Sequence, residues 1–261
     1  MNTIKQVTND LKKYKEYILY TIKTDLKTQL ASTYLGYLWW ILDPLMYMLV
    51  YVFVAQIVFK SNVDNFPIFV FCAVLSWKWI TSAMTEGTNS IKARIGVLQQ
   101  VYMPKFILPL IKCVDNAVKF LFGILVLLVL MLFYGIKPSI HNFEFIWVFI
   151  VNFTFILGCS VILAHLGVFF RDINNILTFV FRLWFYLSPG FYTIDRIPEA
   201  FRFLMWCNPL TIFFESYRNV FMYNTSPHYL GLSIWFIISV MMCFIGIKRL
   251  YKFDKNYTKV V

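Results

Sequence analysis

Apolar residues in this chain come in long blocks rather than in the short alternating stretches of a soluble domain. Six blocks stand out, at about 37–59, 66–85, 110–133, 143–169, 174–192 and 229–247. Each has about the 20 residues that a helix needs to cross a hydrocarbon core. The pattern predicts an all-α, polytopic membrane protein with six transmembrane helices.

Before the first block the period changes. Leu11, Tyr14, Ile18, Ile22, Leu26 and Leu30 recur every three or four residues, with Lys12, Lys13, Glu16, Lys23 and Lys27 on the opposite side. A cationic amphipathic helix of this kind lies in the membrane interface; a helix packed on protein is the alternative. The stretch 193–228 between the last two blocks is too apolar to be simply solvated. Asn208 before Pro209 reads as an N-cap and a first-turn proline, so a helix starts there. A second short helix fits 198–206. The pair reads as two re-entrant outer helices over about 198–218, a geometry tolerated at membrane depth only where protein covers it or it lines a cavity. The predicted organisation is a tail over 1–36 with the interface helix, a membrane domain over 37–247, and a second tail over 248–261.

Composition agrees with the blocks: 60% of residues are hydrophobic and 14% charged, against about 25% charged in soluble domains. The net charge of +11 does not point to nucleic acid, because the lysines cluster in the tails and in short loops beside apolar blocks. Most of the 24 Lys and Arg fall on the side of the two tails, from Lys5 to Lys27, around Lys92, Arg94 and Lys105, at Arg171, and from Lys248 to Lys259. Lys60, Lys137, Arg196, Arg202 and Arg218 are on the other side. That bias predicts a multi-pass protein of the cytoplasmic (inner) membrane with both termini in the cytoplasm, contacting anionic lipid. The first 36 residues are too polar for a cleavable signal peptide. The five cysteines show no C-x-x-C spacing and read as small apolar residues, with no metal site.

Candidate chemistry starts from ionisable residues inside apolar blocks, which are costly to bury in lipid. Asp43, Lys78, His165 and Arg182 sit in four different blocks, each roughly 8–12 Å from the cytoplasmic end at helical rise. They predict one polar layer, with Asp43 and Lys78 close enough to interact. The layer reads as an entrance for an anionic headgroup or first sugars; structural pairing across helices is the alternative. Tyr37, Trp40, Tyr47 and Tyr51 share a stripe with Pro44, and Phe179, Arg182 and Tyr186 share a face of the fifth block. Aromatic faces stack on sugar C–H surfaces, so these stripes are candidate channel linings, although with 20% aromatics some align by chance. Glu215 and Arg218, at i and i+3, should pair and hold an outer gate that includes Trp206, Asn208 and Pro209. No catalytic set is visible: there is no D-x-D and no D-D pair, which argues against an integral membrane enzyme of lipid-linked glycan assembly. No Gly is followed five residues later by Gly-Lys, so the chain carries no P-loop and binds no cofactor of its own.

Several segments, in order, resemble the membrane subunit of type-2 ABC exporters for O-antigen, capsule and teichoic acid. They are Tyr34-Leu35-Gly36-Tyr37-Leu38-Trp39-Trp40 running into Pro44, Val101-Tyr102-Met103-Pro104-Lys105, Arg171-Asp172, Ser188-Pro189-Gly190-Phe191-Tyr192 and Asn208-Pro209-Leu210. The family often has a basic residue beside a Tyr shortly before the Leu-Gly pair, where this chain has Thr28-Gln29-Leu30-Ala31. The resemblance implies a homodimer working with two copies of a separate ATPase that carries ATP and Mg. It implies a lipid-linked glycan moved from the inner to the outer face. It also makes the loop 88–100, with Asn89, Ser90, Lys92, Arg94 and Gln99, a coupling helix for the ATPase. The same architecture exporting a small lipid or drug is the alternative.

Overall fold

The computed structural model describes residues 3–31, 33–58, 63–254 and 257. The upper end of the first predicted span, Lys60, Lys255, Lys259 and the last residues of the C-terminal tail lie outside them. Among the described residues the structure is helical throughout, with no strand. The amino-terminal helices are α1 (Thr3–Lys13) and α2 (Lys15–Ala31). Then come α3 (Leu38–Val52), which continues into a π-helical stretch Phe53–Val58, and α4 (Phe66–Asn89). A 3-10 turn Lys92–Arg94 and the short α5 (Ile95–Gln100) lead to α6 (Ile107–Phe133) and α7 (Phe145–Phe169). The chain ends with α8 (Ile173–Tyr186), α9 (Glu199–Trp206), α10 (Pro209–Arg218) and α11 (Tyr229–Lys252).

Among the described residues, four helices are long and apolar enough to cross a membrane: α4, α6, α7 with its preceding 3-10 turn, and α11. The other two predicted spans are shorter, 15 residues in α3 and 14 in α8. At helical rise 14 residues reach only about 21 Å.

α4 is the pillar of the bundle. Of its apolar window, 78% is buried by protein. α6 and α7 flank it. Glycine sets the closeness of the α4–α7 crossing. A Cβ on Gly87 would come within 2.8 Å of the Ser160 Cβ, and one on Gly167 would run into the Thr88 carbonyl oxygen. Small residues let helix backbones approach in lipid, where no hydrophobic force drives association. Trp79 of α4 clusters with Phe120 of α6 and Phe149 of α7, at ring-centroid distances of 4.3 and 5.0 Å.

A second, smaller core lies at the end of the bundle that holds both termini. Ile91, Leu98, Phe106 and Ile107 pack there with Val161, Ala164 and Leu250. Part of the amphipathic stripe packs on this core, as in the alternative reading of a helix packed on protein. Leu11, Tyr14, Ile18 and Ile22 cover protein, and the Tyr14 hydroxyl donates to the Tyr102 carbonyl at 2.9 Å. The loop 101–106 supplies part of the apolar surface that the stripe meets; Leu19 and Tyr20 on the flank remain exposed. The side chain of Leu30 lies outside the described residues.

The predicted helix over 88–100 is divided in the structure. Asn89 belongs to the last turn of α4, and only Ile95–Gln100 forms a separate helix. The two outer helices appear near the predicted positions. The Asn208 side chain accepts from the Leu210 N–H at 3.1 Å and Pro209 takes the first turn. The helices differ in setting: α10 is largely buried, whereas α9 buries none of its residues.

Candidate functional site

Three adjoining cavities border α3. The first, about 370 Å³, lies between α3, α4 and α6 and is lined by Trp39, Trp40, Asp43, Lys78, Glu86 and Lys119, among others. The second, about 540 Å³, lies between α3, α4 and α8; Lys78, Ser82 and Glu86 line it too, joined by Tyr47, Tyr51, Arg182 and Tyr186. The third, about 560 Å³, is apolar apart from phenol groups and is lined by Met46, Tyr47, Val50, Tyr51, Tyr186 and Phe191. Residues shared by neighbouring cavities make a trough that is charged near the end with the termini and aromatic farther up.

Helical spacing builds the charged part. Lys78, Ser82 and Glu86 recur every four residues on one face of α4, and Asp43 and Tyr47 are one turn apart on α3. Lys78 Nζ is 2.7 Å from Asp43 Oδ2 and 4.4 Å from the Tyr47 ring centroid. Lys119 of α6 approaches Glu86 at 3.5 Å. The Lys78 side chain is 26% exposed and Asp43 46%, so the pair stands in the trough wall rather than in the core.

Of the predicted lining, Trp40, Asp43, Tyr47, Tyr51, Lys78, Arg182 and Tyr186 border the trough. Tyr37 does not. It lies at the foot of α3, edge-on to Trp40 at 5.2 Å and 6.3 Å from Phe122. Phe179 shares the α8 face of Arg182 but sits a turn toward the helix start, is exposed, and lines none of the three cavities. His165 departs most from the predicted layer. Its side of α7 faces the C-terminal segment, where Nδ1 is 2.6 Å from the Tyr257 hydroxyl, between Phe169 and Phe253. The face of α7 that carries His165 meets the C-terminal segment instead of the trough.

The predicted coupling residues divide as well. Asn89 and Asn174 exchange amide hydrogen bonds at 2.7 and 3.2 Å, and the buried Ser90 hydroxyl donates to the Gly87 carbonyl. Arg94 turns inward to Asp25 of α2, at 2.7 Å, and Lys112 joins the same carboxylate at 2.8 Å. These three groups therefore hold the fold, and only Gln99 is fully exposed, with Lys92 half-buried. Burial opposes ionisation of Asp25, but the hydrogen bond and charge of Lys112, then of Arg94, outweigh it and hold its carboxyl below the usual range.

At the opposite end, Arg218 is fully buried. It binds Glu215 at 2.6 Å, donates to the carbonyls of Phe69 and Gly190 at 3.2 and 2.8 Å, and lies 3.4 Å above the Phe69 ring. Asn208 ties α10 to the end of α8: its side-chain oxygen accepts from the Trp184 indole at 2.9 Å, and its amide donates to Ser188 at 2.8 Å. Trp206 packs against His228 at 4.6 Å.

Sequence reasoning missed Glu86, Lys119 and Asp25 as partners of these clusters. The first two were legible in principle, since Glu86 continues the four-residue spacing from Lys78.

A family model described as "ABC-2 type transporter" matches residues 17–222. The chain belongs to this family. The ABC-2 chain is similar to the O-antigen export system permease protein RfbA of Myxococcus xanthus, with 31% identity over 239 residues, 91% of this chain and 92% of that protein. It is also similar to the O-antigen export system permease protein RfbA of Klebsiella pneumoniae, at 28% identity over 241 residues, again 91% and 92% of the two chains. Family membership makes the ABC-2 chain a membrane-embedded, multi-pass transport subunit. The matched region takes in α3, α4 and α8, and so the whole trough.

Proposed function

We propose that this chain is the permease subunit of an ATP-driven exporter that moves lipid-linked polysaccharide, of the O-antigen class, across the cytoplasmic membrane. The trough carries the reading: a charged lower end suits a phosphate-bearing anchor, and the aromatic upper part suits passing sugar rings without a deep well. The relatives' role in O-antigen export supports the glycan over a small lipid or drug.

The working unit is two copies of the chain and two of a separate ATPase, which binds ATP and Mg. The ATPase docks at the terminal end of the bundle, where Lys92, Gln99 and the exposed Val97 of α5 form a ready surface. The crowding of Lys and Arg at that end supports termini in the cytoplasm, a membrane domain over 37–247, and an outer gate braced by Glu215, Arg218 and Asn208.

The test is export in cells that carry the chain with its ATPase. Surface polysaccharide is measured for wild type and for a Trp40→Ala, Tyr47→Ala, Tyr51→Ala triple variant. Loss of surface glycan with normal protein level supports the reading, and full export by the triple variant overturns it.

A further inference from the structure

Two charged groups line both lower cavities, Lys78 and Glu86, and Lys78 is the cation of the two, with a carboxylate partner at ion-pair distance in the trough wall. Its partner Asp43 lines only the first cavity. On the other side of the second cavity stands Arg182, which makes no ion pair with the described residues. The cation available to a visitor is therefore Arg182 alone as long as Asp43 holds Lys78.

We propose that Asp43 is a resident counter-ion on Lys78, which the phosphate of an incoming lipid diphosphate displaces to bridge Lys78 and Arg182. This rests on the reading of the trough as the path of a lipid-linked substrate, and adds how its charged end is controlled. Three features support the exchange. The Asp43 carboxylate is nearly half exposed, so it is rehydrated once released; ion pairs this exposed are weak, roughly 0–1 kcal/mol. A diphosphate brings more charge and more acceptor oxygens than one carboxylate, and binds two cations where Asp43 binds one. Neighbouring donors complete the receiving side: the Ser82 and Thr85 hydroxyls face the second cavity and make no hydrogen bond with the described residues. Thr81 and Thr178, by contrast, already donate to backbone carbonyls of their own helices. Glu86, the carboxylate among the residues that line the second cavity, is held by Lys119 at 3.5 Å and does not compete for Lys78.

With Asp43 in place, the site rejects monovalent anionic lipids that bring no more charge than the resident carboxylate. The counter-ion is thus a filter against ordinary membrane phospholipid as well as a cap on an otherwise unpaired lysine.

The chain is purified with its ATPase in nanodiscs of zwitterionic lipid and titrated with a short polyprenyl diphosphate. Binding is read from the fluorescence of the trough tryptophans, and ATPase stimulation is recorded in parallel. Asp43→Asn should bind the probe about 3- to 10-fold more tightly and should gain affinity for phosphatidylglycerol. Lys78→Gln should bind at least 10-fold more weakly, and Asp43→Asn combined with Lys78→Gln should match Lys78→Gln alone. Unchanged or weaker binding by Asp43→Asn overturns the counter-ion, whatever the export result. If the counter-ion pattern in binding is intact but no lipid-linked glycan is exported, the function proposed above fails and this inference stands. Absence of diphosphate binding by wild type and Asp43→Asn alike overturns the inference.

Discussion

Two clusters in this protein are built from the same three parts. At the outer end, Arg218 meets a carboxylate at 2.6 Å and an aromatic face at 3.4 Å. Along the trough, Lys78 meets a carboxylate at 2.7 Å and an aromatic face at 4.4 Å. Surroundings separate them. Arg218 is wholly buried and also donates to two carbonyls, so each of its three side-chain nitrogens has a partner within the chain. Lys78 borders two cavities and keeps donors toward open space. A planar guanidinium suits the first role and a compact, mobile ammonium the second. The same pairing closes the structure in one place and leaves it answerable to a ligand in the other.

The comparison breaks most visibly at Arg218. Arg218→Ala should strand Glu215 without its cation and two carbonyls without their donor, lowering stability by about 3–5 kcal/mol. Thermal unfolding of the purified protein measures this, and an unchanged midpoint would remove the distinction between the clusters.

Asp25 is the next largest. It joins α2, the α4–α5 connection and α6 through Arg94 and Lys112. Asp25→Asn should cost about 1.5–3 kcal/mol, the range for hydrogen bonds to charged groups. Because the folded pKa is depressed, the stabilisation is complete above the unfolded carboxylate value of about 3.9 and is lost as pH falls through the lower folded value. Melting curves from pH 6 down to pH 3 should show a loss in wild type that the Asp25→Asn variant lacks.

Lys78→Gln should alter stability by less than about 1 kcal/mol, since the pair it breaks is partly solvated, yet it should strongly reduce export of surface glycan. Normal export would return Lys78 to the structural category. Phe179→Ala is the smallest: the side chain is exposed and outside the trough, and both melting temperature and export should stay at wild-type values.

The residues show why some of this was legible in the sequence. Block length gives the helices because backbone satisfaction in lipid leaves few alternatives. The Asn208-Pro209 cap and the i, i+3 pairing of Glu215 with Arg218 are local geometry, so spacing reveals them. Asp43 and Lys78 were matched by depth, which helical rise also supplies. His165 and Phe179 failed for a common reason: depth and face are set within one helix, but which neighbour a face meets is set by packing. Asn89, Ser90 and Arg94 illustrate the other blind spot. A polar stretch reads as surface until the amide, carbonyl or carboxylate across from it is known, and those lie at Asn174, Gly87 and Asp25.

Pro44 sits in the middle of α3, between Asp43 and the aromatic residues above, and the helix passes into π-helical turns at Phe53. Proline supplies no N–H to the carbonyl four residues back, so the rung to Trp40 is missing. Kinks gather at such prolines and at π-bulges. α3 is accordingly a jointed rod with a hinge beside the charged cavity and another above the aromatic one. Bending at the upper joint would open the gap between α3 and α8, where Tyr51 meets Phe185.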